Sequence, residues 1–184
     1  MQIHQFNVSH NDRQDRLLLR VNTQTEEEFR FWLTRRLALR LVPALEQSVA
    51  RLESSQPQMM AHDRASQQIL TDLKRDAFMQ NADFDTPYSG KARQLPLGEE
   101  PMLVTDVELK LKGSGVQLTL QDKGAPPGEA QHCQLNLPPS LLHGLIHLLM
   151  QAMVKAQWQT SSELPVAPDE TLLPDMPPAS GYRH

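Results

Sequence analysis

Apolar and polar residues alternate in six short segments of the chain, which is the period of a β-strand with one buried face. In the first half the alternating positions are His4, Phe6 and Val8, then Leu17, Leu19 and Val21, then Phe29, Phe31 and Leu33. In the second half they are Val107, Leu109 and Leu111, then Val116, Leu118 and Leu120, then Cys133, Leu135 and Leu137. Parallel crossovers need about a dozen residues or more, so the short connections predict two antiparallel meanders.

A helical pattern follows the third strand of each meander. The first helix is expected to start at Thr34, a permissible N-cap, and to be kinked by Pro43. The second runs from Leu141 to Val154 and carries apolar residues on more than one face. Such a helix is buried on several sides, either within the fold or against another subunit.

The two halves indicate an internal repeat. Leucines at 33, 37, 41 and 45 recur at 137, 141, 145 and 149, and the third strand keeps the same offset of 104 residues. The first strand aligns with an offset of 103 and the second with an offset of 99. We therefore predict an α+β fold of two tandem βββα pseudo-repeats, with antiparallel sheets and helices packed on one side. The alternative is that two leucine-rich helices can be aligned without common origin.

Composition divides the chain into four parts. Residues 1–82 hold the first unit and an additional, weakly amphipathic helix over about 59–80. Residues 83–101 mix proline, glycine and charge, and are expected to be a linker. The second unit occupies 102–158, and the acidic, proline-rich segment 159–184 is expected to be a disordered tail.

Charge and cysteine content restrict the class of protein. The 184 residues carry a formal charge of −4, which argues against binding duplex nucleic acid by bulk positive charge. A single cysteine excludes an internal disulfide and suits a reducing cytoplasm. No segment reaches the roughly 18 apolar residues of a membrane span, and the N-terminus lacks the apolar core of a secretory signal. We expect a cytoplasmic protein without membrane contact.

The residues that carry chemistry elsewhere do not form a catalytic pattern here. His143 and His147 have the i, i+4 spacing of metal ligands, but Gly144 stands where a zinc protease has glutamate. Cys133 is expected to face the core, and the glycines form no phosphate-binding loop. We therefore predict no catalytic residue, metal, cofactor or small-molecule ligand.

The outer face of the first sheet is the most suggestive surface. From Phe29 to Leu45 the chain holds four arginines and no acidic residue, and Trp32 lies among them. An aromatic ring beside guanidinium groups is what an unpaired base and its phosphate require. The candidate binding residues are Arg20, Arg30, Trp32, Arg35 and Arg36. In the alternative interpretation this face is covered by the 59–80 helix or by another subunit.

Two tandem units of an antiparallel sheet followed by a helix resemble the Whirly-type single-strand nucleic-acid binders. The resemblance is one of topology and covers residues 1–50 and 102–158. It implies single-strand binding and assembly through the helices into rings. No sequence motif of the family, including its lysine-rich binding motif, is found, so no functional residue is transferred.

Two functions follow as expectations. The first is a non-enzymatic interaction or assembly module that self-associates through the second helix, through the face of Trp32, or through both. The self-association residues on the helix are Leu142, Ile146 and Met150. The alternative is binding of single-stranded DNA or RNA on the open face of the first sheet.

Overall fold

The fold is α+β in the computed structural model, which describes residues 2–54, 94–126 and 131–158 together with Ile69, Leu73, Ala77 and Tyr88. The strands and helices among these residues are β1 (Ile3–Asn11), β2 (Arg16–Thr23), β3 (Glu28–Thr34), α1 (Arg35–Ser54), β4 (Met102–Leu103), β5 (Asp106–Lys112), β6 (Gly115–Gln121), β7 (His132–Leu137) and α2 (Pro139–Lys155). Each of the six strands predicted from alternation lies inside an observed strand.

The strands form two sheets. β1, β2 and β3 are antiparallel, and so are β5, β6 and β7, which confirms the predicted α+β class with antiparallel sheets. The two-residue β4 was not predicted. It extends the first sheet by pairing in parallel with β3, with Phe31 opposite Met102 and Trp32 opposite Leu103.

The observed register corrects one detail of the predicted repeat. Leu19 of β2 pairs with Val8, whereas the corresponding Leu118 of β6 pairs with Leu109. When the two units are aligned on Leu19 and Leu118, Val8 therefore aligns with Leu109, two residues from the predicted Leu111. Since side chains alternate between faces with a period of two, this shift leaves the assignment of apolar and polar faces unchanged.

The core joins both sheets through the two helices. α1 and α2 pack against each other; α1 also contacts β2, β3, β5 and β6, and α2 contacts β1, β6 and β7. Buried leucines from all these layers form one hydrophobic cluster, to which Leu19, Leu45, Leu118 and Leu145 belong. Each helix thus covers strands from both halves of the chain, so neither half has a core of its own.

Capping hydrogen bonds fix the helix ends. The amide of Leu37 donates to Thr34 Oγ1 at 3.3 Å, so Thr34 caps α1 as predicted. At the end of α2, Gln157 adopts a φ of 56°. Its amide donates to the carbonyl of Val154, and the amide of Trp158 donates to that of Met153, each at 3.0 Å. These are the two bonds of a Schellman motif.

Trp158 then attaches the end of α2 to the β1–β2 loop. Its side chain is buried, and its Nε1 donates to Asp15 Oδ1 at 2.7 Å. The imidazole of His10 meets the indole edge to face, with ring centroids 5.5 Å apart. This contact between residues that are distant in sequence ties the second half of the chain to the first strand pair.

Two glycines are required by the β5–β6 hairpin. Gly113 has a φ of +58°, a region that L-residues with side chains rarely adopt. A Cβ on Gly115 would lie 2.8 Å from the carbonyl oxygen of Leu137. Gly113 is therefore required by its backbone conformation, and Gly115 by the close approach of Leu137.

Several predicted segments lie wholly or partly outside the described residues. The 159–184 tail is outside them, and of the 59–80 helix only Ile69, Leu73 and Ala77 are described, in helical conformation, with Ile69 and Leu73 exposed. Of the predicted linker, Tyr88 and residues 94–101 are described. No helix in the described part of the chain is long and apolar enough to cross a bilayer.

Leu142 and Ile146, predicted to mediate self-association, lie in the core. Leu142 is fully buried and Ile146 is 4% exposed. The excess apolar surface of α2 therefore has its explanation within the chain, because the helix is covered by α1 and by strands of both sheets. A second copy has access to Met150 but not to these two side chains.

We expect Leu142→Ala to lower the free energy of unfolding by about 2–5 kcal/mol, because it leaves a cavity in a closely packed core. Denaturant unfolding followed by circular dichroism measures the change. Met150→Ala, at an exposed position of the same helix, is the matched control and should cost much less. Equal effects of the two substitutions would contradict the assignment of Leu142 to the core.

Candidate functional site

The outer face of the first sheet carries three cross-strand pairs from β2 and β3, two of them polar. The cross-strand pairs are Leu18 with Trp32, Arg20 with Arg30, and Asn22 with Glu28. Like charges directly opposite each other destabilise a sheet. The Arg20–Arg30 pair therefore needs compensating groups, and the structure supplies them.

Tyr88 covers Arg20. The Arg20 guanidinium lies over the tyrosine ring, with its Cζ atom 4.5 Å from the ring centroid. The same guanidinium donates to Asn7 Oδ1 from Nη2 at 2.8 Å and from Nε at 3.2 Å. The Tyr88 hydroxyl donates to Glu28 Oε2 at 2.7 Å and lies 2.6 Å from Asn22 Oδ1.

Glu28 is the buried acid at the centre of this network. Its side chain is 1% exposed and forms an ion pair with Arg30 Nε. A buried carboxylate is tolerated only with partners, and Arg30 and Tyr88 provide them. Burial, followed by the nearby Glu28 carboxylate, raises the pKa of Tyr88, so its hydroxyl keeps the proton that it donates.

Residues 94–99 extend the cover along the start of β3. The Glu28 amide donates to the carbonyl of Gln94 at 3.0 Å, and Arg30 Nη1 donates to that of Glu99 at 3.3 Å. Arg20 and Arg30 are therefore committed to contacts within the chain. The expected open face is covered at this end by Tyr88 and residues 94–99, which belong to the segment predicted as a linker.

The other end of the outer face presents a different surface. Trp32 is partly buried and pairs with Leu103, and the Val104 amide donates to the Trp32 carbonyl at 3.0 Å. Beyond Trp32 on the same face of β3 lies Thr34, where a cleft of about 160 Å³ opens beside α1. The cleft is lined by Thr34, Arg36, Leu37, Arg40, Leu103, Val104 and Thr105.

The structure divides the five predicted binding residues into three groups. Arg20 and Arg30 belong to the Tyr88 network. Arg36 lines the cleft, and Trp32 pairs with Leu103, another residue of the cleft lining. Arg35 is exposed, and its positive charge interacts electrostatically with Asp15 in the β1–β2 loop. There the hydrogen bond from Trp158, assisted by His10 and by Arg35, lowers the pKa of Asp15.

Sequence reasoning missed three members of the outer face. Asn22, Glu28 and Tyr88 were not among the predicted binding residues, and Tyr88 lies in the predicted linker, yet the three side chains meet. One signal was present: Tyr88 is one of only two tyrosines in the chain and stands in a polar stretch. Arg40 was noted only as part of the arginine run.

α2 exposes a second candidate surface. Met150 is 44% exposed and Val154 is 78% exposed. They are four residues apart, so their side chains are neighbours on one face of the helix. Gln151 and Lys155 flank them, and α2 contains no acidic residue.

The histidine and cysteine candidates occupy the core or its margin. His143 is buried, with its Nε2 3.2 Å from Glu53 Oε1 at the end of α1. His147 is partly buried, and no three ligating side chains in the described segments come together as a metal site would require. Cys133 faces the core as predicted, and burial raises the pKa of its thiol to about 11, which keeps it protonated and unreactive at neutral pH.

No family model, curated protein or solved structure matches the chain.

Tyr88→Phe should lower the free energy of unfolding by about 1–3 kcal/mol, because the buried Glu28 carboxylate loses a donor while the ring over Arg20 remains. Tyr88→Ala removes the ring as well and should cost about 0.5–1 kcal/mol more. Denaturant unfolding of both variants separates the two contributions. Unchanged stability of Tyr88→Phe would show that the hydroxyl contributes nothing to holding Glu28.

Proposed function

We propose that the chain is a non-enzymatic interaction module that self-associates through the exposed face of α2. The observation that carries this proposal is the adjacent pair Met150 and Val154, left exposed on a helix whose core-facing side is buried. The core does not need these two side chains. Adjacent exposed apolar residues favour contact with another surface.

The chemistry of α2 favours a second copy as the partner. Two such helices packed antiparallel about a two-fold axis would bring Met150 of one copy against Val154 of the other. Lys155 is the charged residue of α2 near this pair, and α2 contains no acidic residue. An apolar contact between two copies therefore needs no complementary charge from a different protein. The resemblance to the Whirly type, which assembles through its helices, points the same way.

The pseudo-repeat belongs to the same proposal. The β2–β3 pairing of Leu19 with Phe31 corresponds to the β6–β7 pairing of Leu118 with Leu135, and each third strand leads into a helix. These equivalences support two βββα units related to the Whirly-type arrangement. The single buried cysteine suits the reducing cytoplasm that we propose as the location.

Val154→Glu, alone or with Met150→Glu, should shift the protein from oligomer to monomer, because it places charge in the apolar contact. Light scattering coupled to size-exclusion chromatography at micromolar concentration measures the mass. Leu111→Glu is the matched control, since Leu111 is equally apolar and 52% exposed but lies on β5. A monomeric wild-type protein, or dissociation by Leu111→Glu to the same extent, would refute the assignment.

The second candidate function is binding of single-stranded DNA or RNA at the Trp32 end of the outer face. The observation that favours it is that Trp32 pairs with Leu103, which lines a cleft together with the exposed Arg36 and Arg40. Arg20 and Arg30, at the covered end of this face, are not part of the proposed binding site. The site is smaller than the open sheet predicted from the sequence.

Trp32→Ala should weaken single-strand binding by about tenfold, because stacking contributes about 1–3 kcal/mol per base. Fluorescence anisotropy with labelled single-stranded DNA and RNA at low salt gives the affinity. Leu18→Ala, at the cross-strand partner of Trp32, tests whether the loss comes from the indole or from a disturbed sheet. Absence of binding by the wild-type protein at micromolar concentration would eliminate this function.

A further inference from the structure

Arg36 and Arg40 present two positive charges that no described residue pairs. They lie four residues apart on α1, both exposed, and neither forms an ion pair or hydrogen bond within the described residues. Like charges at this spacing destabilise a helix by about 0.2–0.5 kcal/mol. No acidic residue occupies the first turn of α1. The pair is thus an unfavourable arrangement that a bound anion would relieve.

The cleft beside them has a polar rim over an apolar floor. Leu37, Leu103 and Val104 provide the apolar part, and none of the described residues that line the cleft is acidic. Thr34 Oγ1 accepts a hydrogen bond from the Leu37 amide, so the hydroxyl proton of Thr34 is available to donate to a ligand. Thr34 and two arginines therefore line one small concave space.

The acidic residue next to the cleft in sequence, Asp106, already has partners. Asp106 follows the cleft residue Thr105, whose hydroxyl donates to Asp106 Oδ2 at 2.9 Å. Lys123 Nζ lies 3.1 Å from Asp106 Oδ1. The negative charge of Asp106 is thus balanced by Lys123, which lies outside the cleft, and the net charge of the residues that line the cleft stays positive.

We propose that this cleft binds a phosphate group. Arginine is suited to this group, because its planar guanidinium donates two parallel hydrogen bonds to phosphate oxygens. A space of about 160 Å³ admits one phosphate together with a small substituent but not a drug-sized ligand. The phosphate can belong to a nucleic-acid strand or to a free phosphorylated compound, and the two sources share this recognition.

The inference deepens the second candidate function and rests on it only where the phosphate comes from a nucleic acid. A second cleft, of about 290 Å³, lies at the β5–β6 turn and is lined by one cation, Lys112. It provides an internal comparison, because Lys112 is also exposed and also borders a concave surface. If phosphate bound to any exposed positive charge beside a concave surface, it would bind at both clefts.

The test is a titration of the full-length protein with inorganic phosphate at constant ionic strength, followed by amide chemical shifts in NMR spectra. We expect shifts around Thr34–Leu37 and Thr105 in the millimolar range. Arg36→Gln combined with Arg40→Gln should weaken binding at least about tenfold, since it removes charge-assisted hydrogen bonds. Lys112→Gln should leave the affinity unchanged. Absence of these shifts, or equal binding by the double variant, overturns the inference.

A second arm separates the sources of phosphate. A single-stranded oligonucleotide replaces inorganic phosphate, and Trp32→Ala is compared with the arginine double variant. Phosphate binding without oligonucleotide binding supports the cleft and removes the nucleic-acid function. Oligonucleotide binding that depends on Trp32 but not on Arg36 or Arg40 keeps that function and overturns the cleft as its phosphate site.

Discussion

Neither three-stranded meander can bury its apolar face alone, and the contact between α1 and α2 buries both. Each helix touches strands from both halves of the chain, so the two units close one core instead of two. Leu142 and Ile146 are buried as a direct result, which removes them from any surface. Among the described residues, the same arrangement leaves the outer faces of the sheets and the exposed side of each helix accessible to partners.

The strands were predictable because their burial is decided locally. Alternation with a period of two identified six strands, and a capping threonine identified the start of α1. The two-residue error at Val8 arose where loop length was free to vary, since an even shift keeps every side chain on its face. Periodicity thus determines the face of a strand more reliably than its partner in a repeat.

The candidate surface was less predictable because long-range contacts decide what covers it. Alternation correctly placed Arg20, Arg30 and Trp32 on one face. It could not show that Tyr88, whose ring meets Arg20, would come from more than 60 residues away in sequence. Nor could it show that Glu28 would be a buried strand residue, because a glutamate after two others is typical of a solvated loop.

The position of Glu28 explains why one end of the outer face is closed and the other is accessible. A buried carboxylate requires nearby donors, and it draws Arg30 and Tyr88 towards the Asn22 end of the sheet. No comparable acid lies among the described residues lining the cleft at the Thr34 end, so Arg36 and Arg40 remain oriented to solvent there. The arginines that appeared equivalent in the sequence are therefore separated by one acid: those near Glu28 stabilise the fold, and those beyond its reach are available to bind a partner.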